Sequence, residues 1–475
     1  MSASGFDLVI RNARVATASD VFNTDIGIRD GRIAQLGTDL AAGTQEIDAG
    51  NRVVTPGGID AHCHLDQPVP PPVRMADDFN SGTISAACGG TTTVIPFAAQ
   101  EKGHSLREAV DDYHRRADGV SHIDYAFHLI VSDPTPEVLN TELPELIAEG
   151  YRSFKAYMTY DDLKLDDGQI LDVLDVAKRH GAIAMLHAEN SDCIEWLTQR
   201  LEAMGRTAPR FHAHSRPMLV EREATQRAMT LAELVDVPIL IVHVSGREAI
   251  EQIRWGRAHG LNIYAETCPQ YLFLTAEDLG IDDSYTGARC VCSPPPRDKA
   301  NQEFIWRGLH DGLFTVFSSD HAPFRLEGED GKKPGGKEVI FRHIPNGIPG
   351  LETRMPLLYS EGVLKGRITL EKFVELTATG PAKAYGLHPR KGAICIGADA
   401  DLVIWDEREV TIRNEALHHA VDYTPYEGMK LGAWPAYTLL RGEVLWDGTS
   451  FVGSKHQGQF LAAGRPSILP AAEFV

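Results

Sequence analysis

The spacing of hydrophobic residues changes character twice along the chain. Over the first 55 residues, apolar and polar positions alternate in short runs at 7–10, 25–29 and 32–36, as in half-buried strands. Asp30-Gly31 lies between the last two runs and predicts a hairpin turn. The same texture returns near the other end, where 400–405, 436–440 and 443–446 read as strands and Arg441-Gly442 joins the last two. Two strand-rich segments placed this way can pair into one small β-sandwich, because chain ends commonly lie close together.

Between them, strand-length apolar runs alternate with helical periods. Eight runs enriched in β-branched residues fall at 53–64, 91–98, 123–131, 152–158, 182–187, 238–244, 262–266 and 314–319. Amphipathic stretches such as 169–180, 221–234 and 248–259 separate most of them. Eight strands alternating with helices predict an α/β fold, a TIM-like (β/α)8 barrel. A doubly wound open sheet competes, but no glycine-rich phosphate loop follows an early strand. The expected organisation is an N-terminal sandwich segment in 1–55, the barrel in 56–388, a C-terminal sandwich segment in 389–450 and a tail in 451–475. The polar, glycine-rich stretch 327–337 reads as a mobile loop near the eighth strand.

Composition narrows the functional classes. The 475 residues are 43% hydrophobic and 24% charged, which is ordinary globular usage and enough chain for a barrel with a satellite. A formal net charge of −20 argues against nucleic acid as a partner, since phosphate binding needs a basic footprint. Seven cysteines without a CxxC pair fit a reducing compartment. With no basic-then-apolar leader in 1–7 and no 18-residue apolar stretch, a cytoplasmic protein without membrane contact is expected.

In such a barrel, chemistry sits where the strands end at their C-terminal side. His62 and His64 are two apart at the end of the first run, so both imidazoles share a face and can chelate one ion. A lone His-x-His pair is a weak signal, and Cys63 between them points the other way into packing. His187 ends the fifth run and His243 the sixth, each after apolar residues. A single histidine so placed is usually a satisfied core residue, but four facing one mouth can hold most of a two-ion site, and neutral imidazole suits zinc. Asp320 follows the eighth run and can serve as ligand and proton acceptor, or simply as a helix N-cap. Lys155 lies within the apolar fourth run. A buried lysine shifts toward its neutral amine, which can take up carbon dioxide as a carbamate able to bridge two cations; a surface lysine is the alternative.

Ordered motifs join these residues: Gly57-Gly58-Ile59-Asp60-Ala61-His62-Cys63-His64, Ser153-Phe154-Lys155, His187-Ala188-Glu189-Asn190, Glu266-Thr267-Cys268-Pro269-Gln270-Tyr271-Leu272, Cys292-Ser293-Pro294-Pro295 and Ser319-Asp320-His321-Ala322-Pro323. With them, nearly the whole chain resembles the cyclic-amide branch of the amidohydrolase superfamily, the dihydropyrimidinases and hydantoinases. The resemblance implies two zinc ions per subunit. His62, His64 and Asp320 would bind one, His187 and His243 the other, and Lys155, as N6-carboxylysine, would bridge them. It implies hydrolysis of dihydropyrimidines or 5-substituted hydantoins to N-carbamoyl amino acids, with Asp320 moving the proton. Tyr160 would donate to the oxyanion, and Ser293 and Asn346 would hold the ring. A homo-oligomer, tetramer or dimer, is also implied, with the tail in its contacts.

Several positions refine the resemblance. Leu65 stands where dihydroorotases carry an arginine, which disfavours that activity, and the Ser293 context is unlike that of allantoinases, which remain the enzyme alternative. Non-enzymatic relatives lack several ligands; here all six positions are filled, which disfavours a silent scaffold. Cys63 replaces a small hydroxyl residue. Pro70-Pro71-Pro72, Arg74, Tyr157 and Lys164 fall in loops that contact the exocyclic group in relatives, so a pocket more polar than that of an aryl-hydantoinase is expected.

Overall fold

The computed structural model describes residues 5–453 and 456–470. Eight parallel strands follow one another around a nearly closed barrel: Gly58–Cys63, Thr91–Ala99, His128–Ile130, Ser153–Tyr157, Ile183–His187, Ile239–Ile241, Ile263–Thr267 and Val316–Phe317. A short extra strand, Asp124–Tyr125, pairs with Thr91–Ala99, so the run at 123–131 is two strands with a break. The second architectural unit is an eight-stranded mixed sheet built from both ends of the chain. Within it Val53–Pro56 pairs in parallel with Phe6–Ala16 and antiparallel with Leu402–Asp406, which joins the two terminal segments directly.

The run at 53–64 is therefore two strands in two sheets. The crossing falls at Gly57 and Gly58, where a Cβ would stand 2.1 Å from Thr92 Oγ1 and 2.1 Å from Met355 Sδ respectively. Only glycine fits so close a passage. The hairpin at Asp30-Gly31 has φ of 51° and 73°, the left-handed pair a two-residue turn requires.

Helices form where the apolar period indicated. Asp167–His180 starts at Asp166, whose carboxylate accepts from Gln169 N, and stops at Gly181 in the left-handed region. Met218–Val235 and Arg247–Ala258 match the other two amphipathic stretches. Alternation then divides each barrel strand. Phe154 and Ala156 join the large apolar cluster shared with the helices, whereas Tyr157 joins a smaller cluster with Ile59, Ile95, Met185 and Leu240 inside the barrel. Among the described residues no helix is long and apolar enough to cross a membrane.

The N-terminal end of the barrel is covered by the tail. Leu461 N donates to Tyr125 O at 2.7 Å, Ala463 N to Gly150 O at 3.0 Å and Ser467 N to Lys383 O at 2.8 Å. Residues 454–455 and 471–475 of the tail expected at 451–475 lie outside the described residues. The loop 327–337 is anchored at its centre by Lys332, which is fully buried.

A buried charge cluster ties the sheet, the barrel and the tail together. Lys391 Nζ lies 2.5 Å from Asp124, 2.6 Å from Asp401 and 3.0 Å from Asp399. Arg441 Nη1 is 2.5 Å from Asp124, and its Nη2 donates to Gln457 O at 2.6 Å. Burial opposes the lysine charge, but Asp401 and Asp124 outweigh it and hold the group cationic. Removing one partner of such a cluster strands buried carboxylates. Lys391→Met should therefore cost about 3–5 kcal/mol in urea unfolding, and adding Asp401→Asn should recover some of the loss.

Candidate active site

The C-terminal mouth of the barrel gathers the metal-ligating residue types. His62 is the penultimate residue of the first strand, His64 follows it, Lys155 lies inside the fourth and His187 ends the fifth. His243 comes two residues after Ile239–Ile241, and Asp320 three after Val316–Phe317. His62, Lys155, His187 and His243 are all buried, while Asp320 is partly open to the mouth. Cys63 joins the apolar cluster with Leu65 and Phe79, away from the imidazoles.

Strict alternation alone would not aim all of these side chains inward. Leu240 and Val242 face the barrel interior, so an extended His243 would face the helices. Its φ of 38° turns the backbone instead, and Tyr160 at 70°, off the inward register of Tyr157, does the same, whereas Asp320 at 50° already follows the inward register of Val316. Left-handed residues with a Cβ cost on the order of 1–3 kcal/mol each. Three of them rim one mouth, and at His243 and Tyr160 the strain positions the side chain.

Hydrogen bonding fixes the tautomers. His62 Nδ1 is 2.7 Å from Glu266 Oε1, His64 Nδ1 is 2.6 Å from Gln67 Oε1, and His187 Nε2 is 2.8 Å from Glu189 Oε2. An oxygen acceptor takes an N–H, so each of these rings turns its lone pair inward. On that inner side His62 Nε2 and His64 Nε2 lie 3.2 and 3.4 Å from Asp320 Oδ1, three donor atoms within 4.8 Å of one another. His187 Nδ1 faces His243 Nε2 at 2.8 Å, and Lys155 Nζ lies 2.9 Å from His62 Nε2. Among the described residues, His243 Nδ1 is buried without a hydrogen-bond partner. The 3.2 and 3.4 Å separations approach the roughly 3.3–3.6 Å between tetrahedral ligands of a cation bound at roughly 2.0–2.2 Å. The residues present fit divalent metal.

Electrostatics agree with that fit. Burial pushes His62 well down and His187 to about 4, so both imidazoles are neutral at pH 7 and free to ligate. Burial favours protonating Asp320, but His62, His64 and Lys155 outweigh it and hold the carboxyl at about 2. Burial also lowers Lys155, whose Nζ sits 4.6 Å above the Phe97 ring and 4.7 Å from that of Tyr157. For Glu189, burial is overcome by Arg216, 2.8 Å away, and the carboxyl settles at about 2.

The other expected residues border the same space. The Tyr160 ring is 5.4 Å from His187, and Ser293 and Asn346 sit at its phenol. Tyr157 stacks on His187 at 5.3 Å. Lys164 is paired with Asp161 at 2.6 Å, and Arg74 with Asp330 at 2.6 Å. Leu65 is fully buried and packs on Gly82, leaving no cation at that position. A second trio, Cys88, Glu352 and His418, is accounted for by an ion pair of 3.0 Å between the last two.

A sequence profile of the amidohydrolase family matches residues 53–445. The chain belongs to that family. Among its members this amidohydrolase is 46% identical to a D-hydantoinase of Rhizobium radiobacter, over 96% of this chain and 98% of that one. A solved D-hydantoinase superposes with a TM-score of 0.93 at 44% identity, covering 97% of this chain and all of the other. The crystal structure of a dihydropyrimidinase from Brevibacillus agri gives 0.93 at 41% identity, covering 96% and 98% of the two chains. The hydantoinases are thus its branch of the family.

The structure also gives roles to residues that spacing alone left without one. Glu266 and Glu189 orient His62 and His187, and Arg216 fixes Glu189 while lying 5.3 Å from the Tyr160 ring. Glu189 is two residues past His187, the same spacing as His62 and His64, which was a readable signal. Glu266 follows Ala265 near the end of the buried strand Ile263–Thr267. Glu266→Gln keeps the shape but puts an amide, which can turn its NH2 toward His62 Nδ1, in place of the carboxyl that orients the ring. It should weaken binding of divalent metal roughly 10–100-fold, read by titrating zinc into metal-stripped protein.

Proposed function

We propose that this amidohydrolase uses two zinc ions to open the ring amide of dihydropyrimidines or 5-substituted hydantoins, giving N-carbamoyl amino acids. The observation that carries the reading is the convergence of four imidazoles, Lys155 and Asp320 on one mouth, with three imidazoles held in the ligating tautomer by oxygen acceptors. His62, His64 and Asp320 would hold one ion, and His187 and His243 the other. Lys155 would bridge them after its amine adds carbon dioxide, forming an N–C bond and releasing a proton. Zinc supplies Lewis acidity toward the ring carbonyl and lowers the pKa of water to roughly 7.

The side chains supply the remaining steps. Asp320, ionised at neutral pH, accepts the proton of the attacking water and passes it to the ring nitrogen as the C–N bond breaks. Burial keeps the Tyr160 phenol above its ordinary value, so it stays an O–H donor toward the oxygen that gains charge. Ser293 and Asn346, beside that phenol, orient the ring. The Lys164–Asp161 pair near this rim favours polar over aryl exocyclic groups.

Lys155→Ala should lower kcat at least roughly 1,000-fold and reduce zinc from two ions per chain, with partial rescue by short carboxylic acids. Full activity in that variant would remove the carbamate from the mechanism. A panel of dihydrouracil, dihydrothymine, 5-phenylhydantoin, an acidic 5-substituted hydantoin and allantoin tests the substrate. The expected order places dihydropyrimidines or the acidic hydantoin first. Preference for the phenyl compound overturns the polar pocket, and preference for allantoin overturns the substrate class.

A further inference from the structure

The segment opposite Tyr160 is held from behind by buried side chains that have no role in the chemistry above. The carbonyl of Val291 accepts from Lys332 Nζ at 2.9 Å, that of Cys292 from His212 Nε2 at 2.9 Å, and that of Pro294 from the Tyr271 hydroxyl at 2.9 Å. Among the described residues, the carbonyl of Ser293 alone of these four has no donor within the chain. The backbone is thus pinned on both sides of one free acceptor, at a residue assigned to the ring.

Lys332 is the unusual member of this set. It is fully buried, and no carboxylate among the described residues lies within ion-pair distance of its Nζ. Its Nζ donates to two carbonyls on different segments, Val291 and Pro345, each at 2.9 Å. One segment continues into Ser293 and the other into Asn346. Val291 O accepts a second bond from the Asn346 side of the pocket, Gly347 N at 3.0 Å. The lysine is itself fixed, with its N donating to Arg325 O at 2.7 Å and its O accepting from the Tyr285 hydroxyl at 2.5 Å.

An apolar side chain would fill this slot without the cost of burying an unpaired cation. What only a long amine supplies is two N–H groups reaching two carbonyls at once. Burial pushes the ammonium down to about 7, and the neutral amine still has two N–H donors, one for each carbonyl.

We propose that Lys332 is a positioning residue that sets the spacing between the Ser293 and Asn346 segments, and so governs ring affinity rather than bond breaking. This rests on the ring-amide reading above. Among the described residues no hydrogen bond or ion pair joins Lys332 to a proposed metal ligand, so its effect separates from loss of the metal site.

The test is steady-state kinetics on hydantoin and dihydrouracil, with zinc content measured on the same samples. Lys332→Met should raise KM roughly 10-fold or more, the scale of one or two lost hydrogen bonds, with kcat within about threefold and zinc unchanged. Lys332→Arg, which restores donors on a long arm, should recover much of the KM. Unchanged KM in Lys332→Met, or kcat and zinc falling together, overturns the clamp. If Lys332→Met does not fold, Lys332→Gln is measured instead, and unchanged KM there overturns it equally. A wild-type enzyme that opens neither ring would instead overturn the ring-amide reading, whatever the variants do.

Discussion

The barrel closes on a buried ion pair rather than on a strand ladder. Its last strand, Val316–Phe317, is short and makes no regular ladder with the first among the described residues. Between them stands Asp60, whose Oδ1 accepts from His62 N and Ser319 N at 3.2 Å each, while Oδ2 lies 3.3 Å from Arg354 Nε. Arg354 in turn donates to Phe317 O at 2.7 Å and to Thr91 Oγ1 at 3.0 Å. Just above, His64 N reaches His321 O at 2.7 Å. His62, His64 and Asp320 all flank this seam, so the spacing of these three candidate ligands is the spacing of the closure. A buried pair of this sort contributes little net stability, but it fixes geometry that apolar packing would leave free to slide.

Charge is arranged around the mouth in the same spirit. Lys155 faces Asp320 and Glu266 from inside the barrel, and Arg216 neutralises Glu189 from the rim. Burial keeps His62, His187 and His243 neutral, and at His62 and His187 a carboxyl oxygen holds the ring on the side away from the centre. The left-handed backbone at Tyr160 and His243 belongs to this arrangement, since it aims toward the mouth side chains that regular strands would send to the other face.

Much of this was legible in the sequence, for a physical reason. Strand and helix periods differ, so the barrel order and the strand-rich ends follow from spacing, and ligand types at strand ends mark the mouth. The two-sheet split at Gly57 was hidden because 53–64 is one continuous buried run, and periodicity cannot see a change of sheet. Glu266 went without a role because the His62 it orients lies 204 residues away in sequence, whereas Glu189 sits two residues from His187 and was within reach of spacing. Lys332 lies in a stretch whose composition reads as solvated. Its burial is imposed by Val291 and Pro345, and nothing local records that.

The sheet shared by both ends of the chain bears on how the molecule is made. The edge of Val53–Pro56 is completed only by Leu402–Asp406, which the ribosome delivers hundreds of residues later. At roughly 5–20 residues per second that interval is on the order of tens of seconds. Throughout it, an apolar strand edge waits unpaired while the barrel grows beside it. Synthesis speed and protection of that nascent edge therefore bear on the yield of folded enzyme, although no residue of the edge touches the site.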